Sequence, residues 1–408
     1  MSQPIPSFTD PEVLADPHIA FDAMRAEGPA YRNDELRMVV VTRYDEVLAV
    51  LRDPETFSTK GALKTGGGKK QSAVGEVLAR GFPYTDVLMN TEGDRHAHHA
   101  GLVKGYLSAA RVRALTAPIQ AMVDELLDKL PIGETFEFVS EVSLPLTIGV
   151  LCEFTGVPHE HRGLVEQATD AEVSLLGALQ SEEQNVANAE LIVAMQHLLA
   201  DLIEQRRNAP QEDLISHVVH TPPPAGREPL TLAEMVTLLR GVVLGGNETT
   251  RGLINSATWT LAGAPELLAR VRTDAAAFDR FIEEALRATS PVLMLFRVAT
   301  RDTEIGGVPV AKGETVGVSY GAANRDPAQF PCPHAWDIDR PDVRRHMAFG
   351  FGEHFCVGAP LARLESRLAL RSIVDRFSRI EVAPDGAPRF CPSFMVRNMA
   401  SLPLRVRP

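Results

Sequence analysis

The sequence predicts a mainly α-helical chain with small β-sheets, folded as one domain over residues 1–408. Three observations carry this. Apolar residues recur at helical spacing from Ala97 to about Leu286, strand-like runs are confined to the regions on either side, and no stretch has linker composition. The chain is 45% hydrophobic and 23% charged, a globular composition that excludes disorder and low-complexity architectures. A chain of this length can bury most of its apolar surface and still enclose a large cofactor. Its net charge of −12 argues against nucleic acid and anionic membranes as partners. We find no run of about eighteen apolar residues and therefore expect no membrane span. The opening residues show no basic segment followed by an apolar one, so we expect no export signal and a cytoplasmic location.

Element by element, Met38 to Thr42 reads as a strand and Tyr44 to Leu51 as a helix. The Gly/Lys-rich segment from Lys60 to Pro83 reads as a loop with one short helix. Its GGGKK run lacks the spacing of a phosphate loop, because Gln71 follows Lys70 where Ser or Thr is needed. His220 to Pro229 breaks the helical pattern before a long helix starting near Leu230, where Thr231 and Glu234 form a capping-box pattern. Val298 to Tyr320 turns strand-like, with turns at Gly306-Gly307 and Lys312-Gly313. Asn324 to Met347 is irregular and rich in proline and aromatics. A helix follows from about Ala359 to Arg376, and the tail from Ile380 to Val406 reads as a β-hairpin.

Four cysteines, Cys152, Cys332, Cys356 and Cys391, form no C-x-x-C pair and are expected to be reduced thiols. Cys356 stands apart. Gly350, Gly352 and Gly358 surround it and let the backbone press close to something flat. A helix start follows directly, with Pro360 in its first turn. Backbone N–H groups and the helix dipole there favour a negative sulfur, which is a metal ligand or a nucleophile. No second cysteine or H-x-x-x-H motif lies nearby to complete a tetrahedral zinc site. A single axial thiolate under a haem iron needs only this one residue. The bland alternative is a buried cysteine beside a glycine turn.

The pattern F-x-x-G-x-H-x-C-x-G, as Phe349, Gly352, His354, Cys356 and Gly358, resembles the haem-binding loop of the cytochrome P450 monooxygenases. The resemblance implies a triangular helical prism enclosing haem b. It makes Cys356 the axial iron ligand and His354 a propionate partner, with Ala348, Phe349, Gly350, Val357 and Gly358 also on the cofactor. Three more segments follow the family order. In GGNETT, Gly245 and Thr249 share a helix face and leave a groove beside a hydroxyl. Glu248 and Thr249 there resemble the family's acid–alcohol pair, which relays protons. Glu284 and Arg287 form an E-x-x-R pair that the family joins to an arginine of the irregular segment, here Arg340. Arg297 matches a second propionate position. In EGDRHAHHAGLVKGYL, His96 fits a propionate clamp, but Ala100 stands where the family carries arginine. That removes a charge-assisted hydrogen bond of ~1.5–3 kcal/mol, for which Lys104 is a candidate replacement. His98 and His99 read as surface histidines rather than a metal cluster.

The resemblance implies a monooxygenase that inserts one oxygen atom from dioxygen into a small, mostly lipophilic or aromatic substrate, by hydroxylation or oxidative demethylation. We expect no fused flavin or iron–sulfur domain, so electrons are expected from a separate ferredoxin (or flavodoxin) and its reductase. Arg344, Arg345 and Arg363 form a basic patch suited to such a donor. The pocket is expected to be walled by the Lys60–Pro83 loop, the Leu175–Gln180 region, Leu244, Val292, Leu293, Leu295, Phe394 and Met395. Arg240, upstream of Gly245, either meets a substrate carboxylate or is solvated or bridged within the protein. Two rival readings are a peroxide-driven peroxygenase of the same fold and a non-catalytic haem ligand-binding protein. The Glu248–Thr249 pair argues against both.

Overall fold

The computed structural model describes residues 5–62, 72–177, 180–384 and 386–408, the side chains of 176 and 177 excepted. The GGGKK run and residues 178–179 of the Leu175–Gln180 region thus lie outside the described residues. Tertiary contacts gather the chain into two compact units. The first comprises Met1–Ala62, Ile119–Pro145 and Thr249–Pro408; the second comprises Leu63–Pro118 and Leu146–Glu248.

The first unit holds every described strand. Met38–Val41 is buried at all four positions because it sits inside a five-stranded sheet. It pairs antiparallel with Ala30–Asn33 and parallel with Thr315–Ser319, which in turn pairs antiparallel with Met294–Ala299. Gly317 is needed at the centre, since a Cβ there would lie 2.6 Å from the Met294 sulfur. Val39, Val41, Val316 and Val318 form a core with Val47 and Leu51 of the helix Tyr44–Arg52. The turns expected at Gly306-Gly307 and at Gly313 are present, all three glycines having positive φ. The tail differs from a plain hairpin. Arg379–Val382 pairs with Pro403–Arg407, which also pairs with the distant Phe136–Glu137, and a second small pair, Arg389–Phe390 with Met399–Ser401, is inserted between them.

The second unit is helical among its described residues. Its long helix Glu182–Asn208 begins at a complete capping box made by Ser181 and Gln184. By length and composition that helix could cross a membrane, but half of its apolar window is buried in the protein. Ala189 and Val193 pack against Val77 of the short helix Ala73–Leu78. A 32-residue helix, Leu232–Gly263, starts where the sequence predicts. Thr231 N–H donates to Glu234 Oε2 at 2.8 Å, and Glu234 N–H donates to Thr231 Oγ1 at 3.3 Å, closing the expected capping box.

Candidate functional site: a cysteine loop and a glycine-notched helix

Cys356 sits in a tight loop of the first unit. Its N–H donates to Phe349 O at 2.9 Å, and Gly350 (φ 69°) and Gly352 (φ 73°) make the left-handed bends that fold the loop on itself. The helix Ala359–Arg376 starts directly after it with proline in the first turn, as the sequence indicates. Burial pushes the Cys356 thiol up, while N–H groups of Gly358 and Ala359 and the charge of Arg363 pull it back. The residue nevertheless has accessible surface. The thiol is therefore buried while the residue keeps accessible surface, and the neighbouring backbone N–H groups favour a negative sulfur. This donor set fits an axial thiolate ligand.

Arg297 lies near this loop. It is buried on the strand Met294–Ala299, donates to Phe296 O at 2.8 Å and acts electrostatically on Tyr320, whose own hydroxyl would be 3.7 Å from a Cβ at Gly350. Ala348 is buried, whereas Phe349, Gly350, His354, Val357 and Gly358 are half-buried. Arg363, assigned above to a basic patch, is already engaged. Its guanidinium donates to both Glu283 oxygens at 2.8 and 3.0 Å and lies 4.4 Å over the Phe349 ring. His346 Nε2 donates to the same carboxylate at 3.1 Å. Burial would push Glu283 up, but the hydrogen bonds and charges of His346 and Arg363 outweigh it and hold it at about 2. Arg344 and Arg345 are exposed, as are Phe351 and Phe355.

Glu284, Arg287 and Arg340 meet in the interior. Arg287 reaches Glu284 at 2.7 and 2.8 Å, and Arg340 Nε reaches it at 3.4 Å. The remaining Arg287 donors go to carbonyls of Asn324 (2.8 Å), Pro333 (2.9 Å) and Ala335 (3.2 Å). Two helical residues thereby pin the irregular segment, and every buried charge has partners.

In the second unit the helix Leu232–Gly263 carries Leu244, Gly245 and Glu248. Gly245 is exposed, and a Cβ there would meet nothing within 4 Å, so its missing side chain leaves a notch. Glu248 is buried; Thr249, the first residue assigned to the other unit, is half-buried. His96 is buried and its Nδ1 donates to Leu88 O at 2.8 Å. Ala100 is also buried, and Lys104 is exposed.

Several expectations need correction. His99 is not a surface residue: it is 1% exposed, its Nδ1 accepts the Leu88 N–H at 3.0 Å, and burial lowers its pKa to about 4. Only His98 is partly accessible, and no metal-binding cluster exists among the described residues. Leu293 does not line a pocket. It is fully buried, packed with Phe21, Met24 and Met294. Phe394 leans on the same core, its ring 5.9 Å from Phe8 and 6.4 Å from Phe296. Val292 and Leu295 stay half-buried and Met395 is buried. Arg240 is bridged rather than solvated: its Nη2 lies 3.4 Å from Glu172 Oε1, both side chains being buried. The sequence reading missed Glu172 and Glu283 as partners, and also Glu365, a fully buried carboxyl that burial pushes up to about 8. Helix phase could have exposed the last, since Leu361, Glu365 and Ala369 share one buried face.

A family model described as cytochrome P450 matches residues 167–404. The chain is 34% identical to the cytochrome P450 monooxygenase PikC of Streptomyces venezuelae, over 97% of this chain and 92% of that one. It is 33% identical to the 6-deoxyerythronolide B hydroxylase of Saccharopolyspora erythraea, over 90% of each. Among solved structures, P450BioI in complex with an acyl carrier protein carrying hexadec-9Z-enoic acid superposes with a TM-score of 0.87 at 28% identity, covering 97% of this chain and all of that one. The chain belongs to the cytochrome P450 family and has its fold. It is accordingly an oxidoreductase that incorporates oxygen from dioxygen, with haem b held by a cysteine thiolate as cofactor.

Proposed function

We propose that residues 1–408 act as one P450 domain in which Cys356 ligates the haem iron and the substrate is a small lipophilic molecule that is hydroxylated or oxidatively demethylated. The observation that carries this is the Cys356 loop, where the N–H groups of Gly358 and Ala359 favour a negative sulfur on a residue that retains accessible surface. When bound, haem with a thiolate ligand supplies the oxidising power that C–H chemistry needs. The chain supplies placement and protons. His96, Arg297 and His354 hold the propionates, and Gly350 and Gly358 let the backbone lie against the ring. Gly245 leaves room beside Thr249, whose hydroxyl and the buried Glu248 carboxyl pass protons inward. Val292, Leu295, Met395 and Leu244 give the substrate an apolar wall that fixes which C–H bond reacts.

Electrons come from a separate ferredoxin or flavodoxin and its reductase. The exposed Arg344 and Arg345 beside Phe351 and Phe355 suit an acidic donor with an apolar centre. Carbon monoxide added to the dithionite-reduced protein should give the absorption band diagnostic of thiolate ligation, and Cys356→Ala should abolish it. An unaltered spectrum in that variant would overturn the reading.

A further inference from the structure

The turn around Leu88, in the second unit, is held against its own preference. Leu88 has a φ of 31°, in the left-handed region that glycine enters freely and leucine only under strain. Its carbonyl has two donors, His96 Nδ1 at 2.8 Å and Thr91 Oγ1 at 3.3 Å. Its N–H donates to His99 Nδ1 at 3.0 Å. On the other side of the turn, Thr85 Oγ1 donates to Thr237 Oγ1 at 3.2 Å and ties the segment to the helix Leu232–Gly263. Gly241 of that helix leaves room for Met89, since a Cβ there would lie 3.7 Å from Met89 Cε.

His99 is built for this contact. It is buried on the helix Gly93–Tyr106, and burial first, then the charges of Arg95 and His98, lower its pKa to about 4. Nδ1 therefore keeps its lone pair at neutral pH and accepts, which puts the ring proton on Nε2. The carbonyl would keep Thr91 if His96 were lost, whereas loss of His99 leaves the N–H with nothing to offset the strain. The side chains that the turn carries matter because Leu88 and Met89, with Tyr84, Leu238 and Leu244, wall a cavity of about 40 Å³. That volume admits only a few water-sized groups, so any shift of the turn changes what fits.

We propose that His99 is a positioning residue for substrate size: by accepting the Leu88 N–H it fixes Leu88 and Met89, so that the cavity admits a short hydrocarbon group and excludes a longer one. This rests on the monooxygenase reading above, which makes Leu244 a substrate contact. Without the bond the turn relaxes to negative φ, both side chains move with the backbone, and the wall no longer stops a longer chain. Two amide side chains separate this role from mere packing. Asparagine carries its oxygen as many bonds from Cα as Nδ1 lies in histidine, and so keeps the acceptor in place. Glutamine carries its oxygen one bond further out, at the reach of Nε2, and leaves the Leu88 N–H unpaired.

The test has two readouts on the haem-loaded protein. Amide hydrogen exchange, resolved to single residues by fragment mass spectrometry, should be at least tenfold faster at Leu88 in His99→Leu and His99→Gln than in the parent. In His99→Asn it should stay within threefold of the parent. Calorimetry with toluene, ethylbenzene, propylbenzene and butylbenzene should show the parent's affinity dropping at least tenfold at one step of the series. That step should shrink below threefold in His99→Leu and His99→Gln and persist in His99→Asn. If His99→Leu fails to fold, the asparagine and glutamine variants decide. Unchanged exchange at Leu88, a size step that survives in His99→Gln, or asparagine and glutamine behaving alike would each overturn the proposal. A parent that binds none of the four, or binds all four without a step, would also overturn it. The carbon monoxide spectrum of each sample reports Cys356 ligation independently, so failure here is distinguishable from failure of the monooxygenase reading.

Discussion

Arg287 and Glu284 are joined by two hydrogen bonds of 2.7 and 2.8 Å with neither side chain exposed at all. Breaking one side of a buried pair strands the other charge, at a cost of about 3–5 kcal/mol. Glu284→Gln should therefore lower the thermal midpoint by many degrees and reduce the fraction of purified protein that carries haem, both read by melting and absorbance. A midpoint within two degrees of the parent would contradict this role.

Glu365 titrates near 8 in the folded chain because burial disfavours its charge. Its folded pKa is raised, so its contribution to stability is present at low pH and is lost as pH climbs from the unfolded value through 8, by up to ~1.4 kcal/mol per unit. Glu365→Gln should accordingly be more stable than the parent at pH 9 and lose that advantage by pH 5. Parallel stability–pH curves for the two proteins would contradict it.

Glu283 has the opposite sign. Held at about 2 by His346 and Arg363, it stabilises the fold above the unfolded carboxyl pKa and ceases to as pH falls from there towards 2. Glu283→Gln should be less stable than the parent at pH 7, and the gap should narrow through the acid range, as followed by chemical denaturation at each pH.

Gly245 and Gly252 lie on one helix yet should respond differently to an added methyl. Open space faces Gly245, so Gly245→Ala should leave stability unchanged or raise it by about 0.5–1 kcal/mol while weakening substrate binding. At Gly252 a Cβ would lie 2.6 Å from the backbone oxygen of Arg397, so Gly252→Ala should destabilise. Equal melting temperatures for the two variants would be inconsistent with these contacts.

Arg344→Glu should slow reduction by an acidic ferredoxin several-fold at low salt and leave reduction by dithionite unchanged, as measured by stopped-flow absorbance. Arg363 is unsuited to the same experiment, because Glu283 already holds it.

What was legible in the sequence was local. The helix Ala359–Arg376 shows its start through Gly358 and Pro360, and the 232–263 helix through the Thr231–Glu234 box, because a cap is written within a few residues. The E-x-x-R pair was legible for the same reason. The tail was misread because Pro403–Arg407 pairs with two partners, one of them hundreds of residues upstream, and period-2 patterning does not name a partner strand. Leu293 was assigned to the wrong environment because a strand end does not reveal which way its side chains turn. Glu172 was invisible as the companion of Arg240 because the two lie on different helices with no motif linking them.

One carboxylate, Glu283, grips His346 and Arg363, which flank Cys356 on its two sides in the chain. The segment from 346 to 363 is thereby closed into a ring without a covalent cross-link, its ends fastened to a third point on another helix. Most of the conformational freedom of those residues is thus surrendered when the polypeptide folds, not when the porphyrin arrives. Apoprotein stripped of its pigment should keep the cradle shaped for reloading, and the ring should open only when that single anchor is protonated or removed.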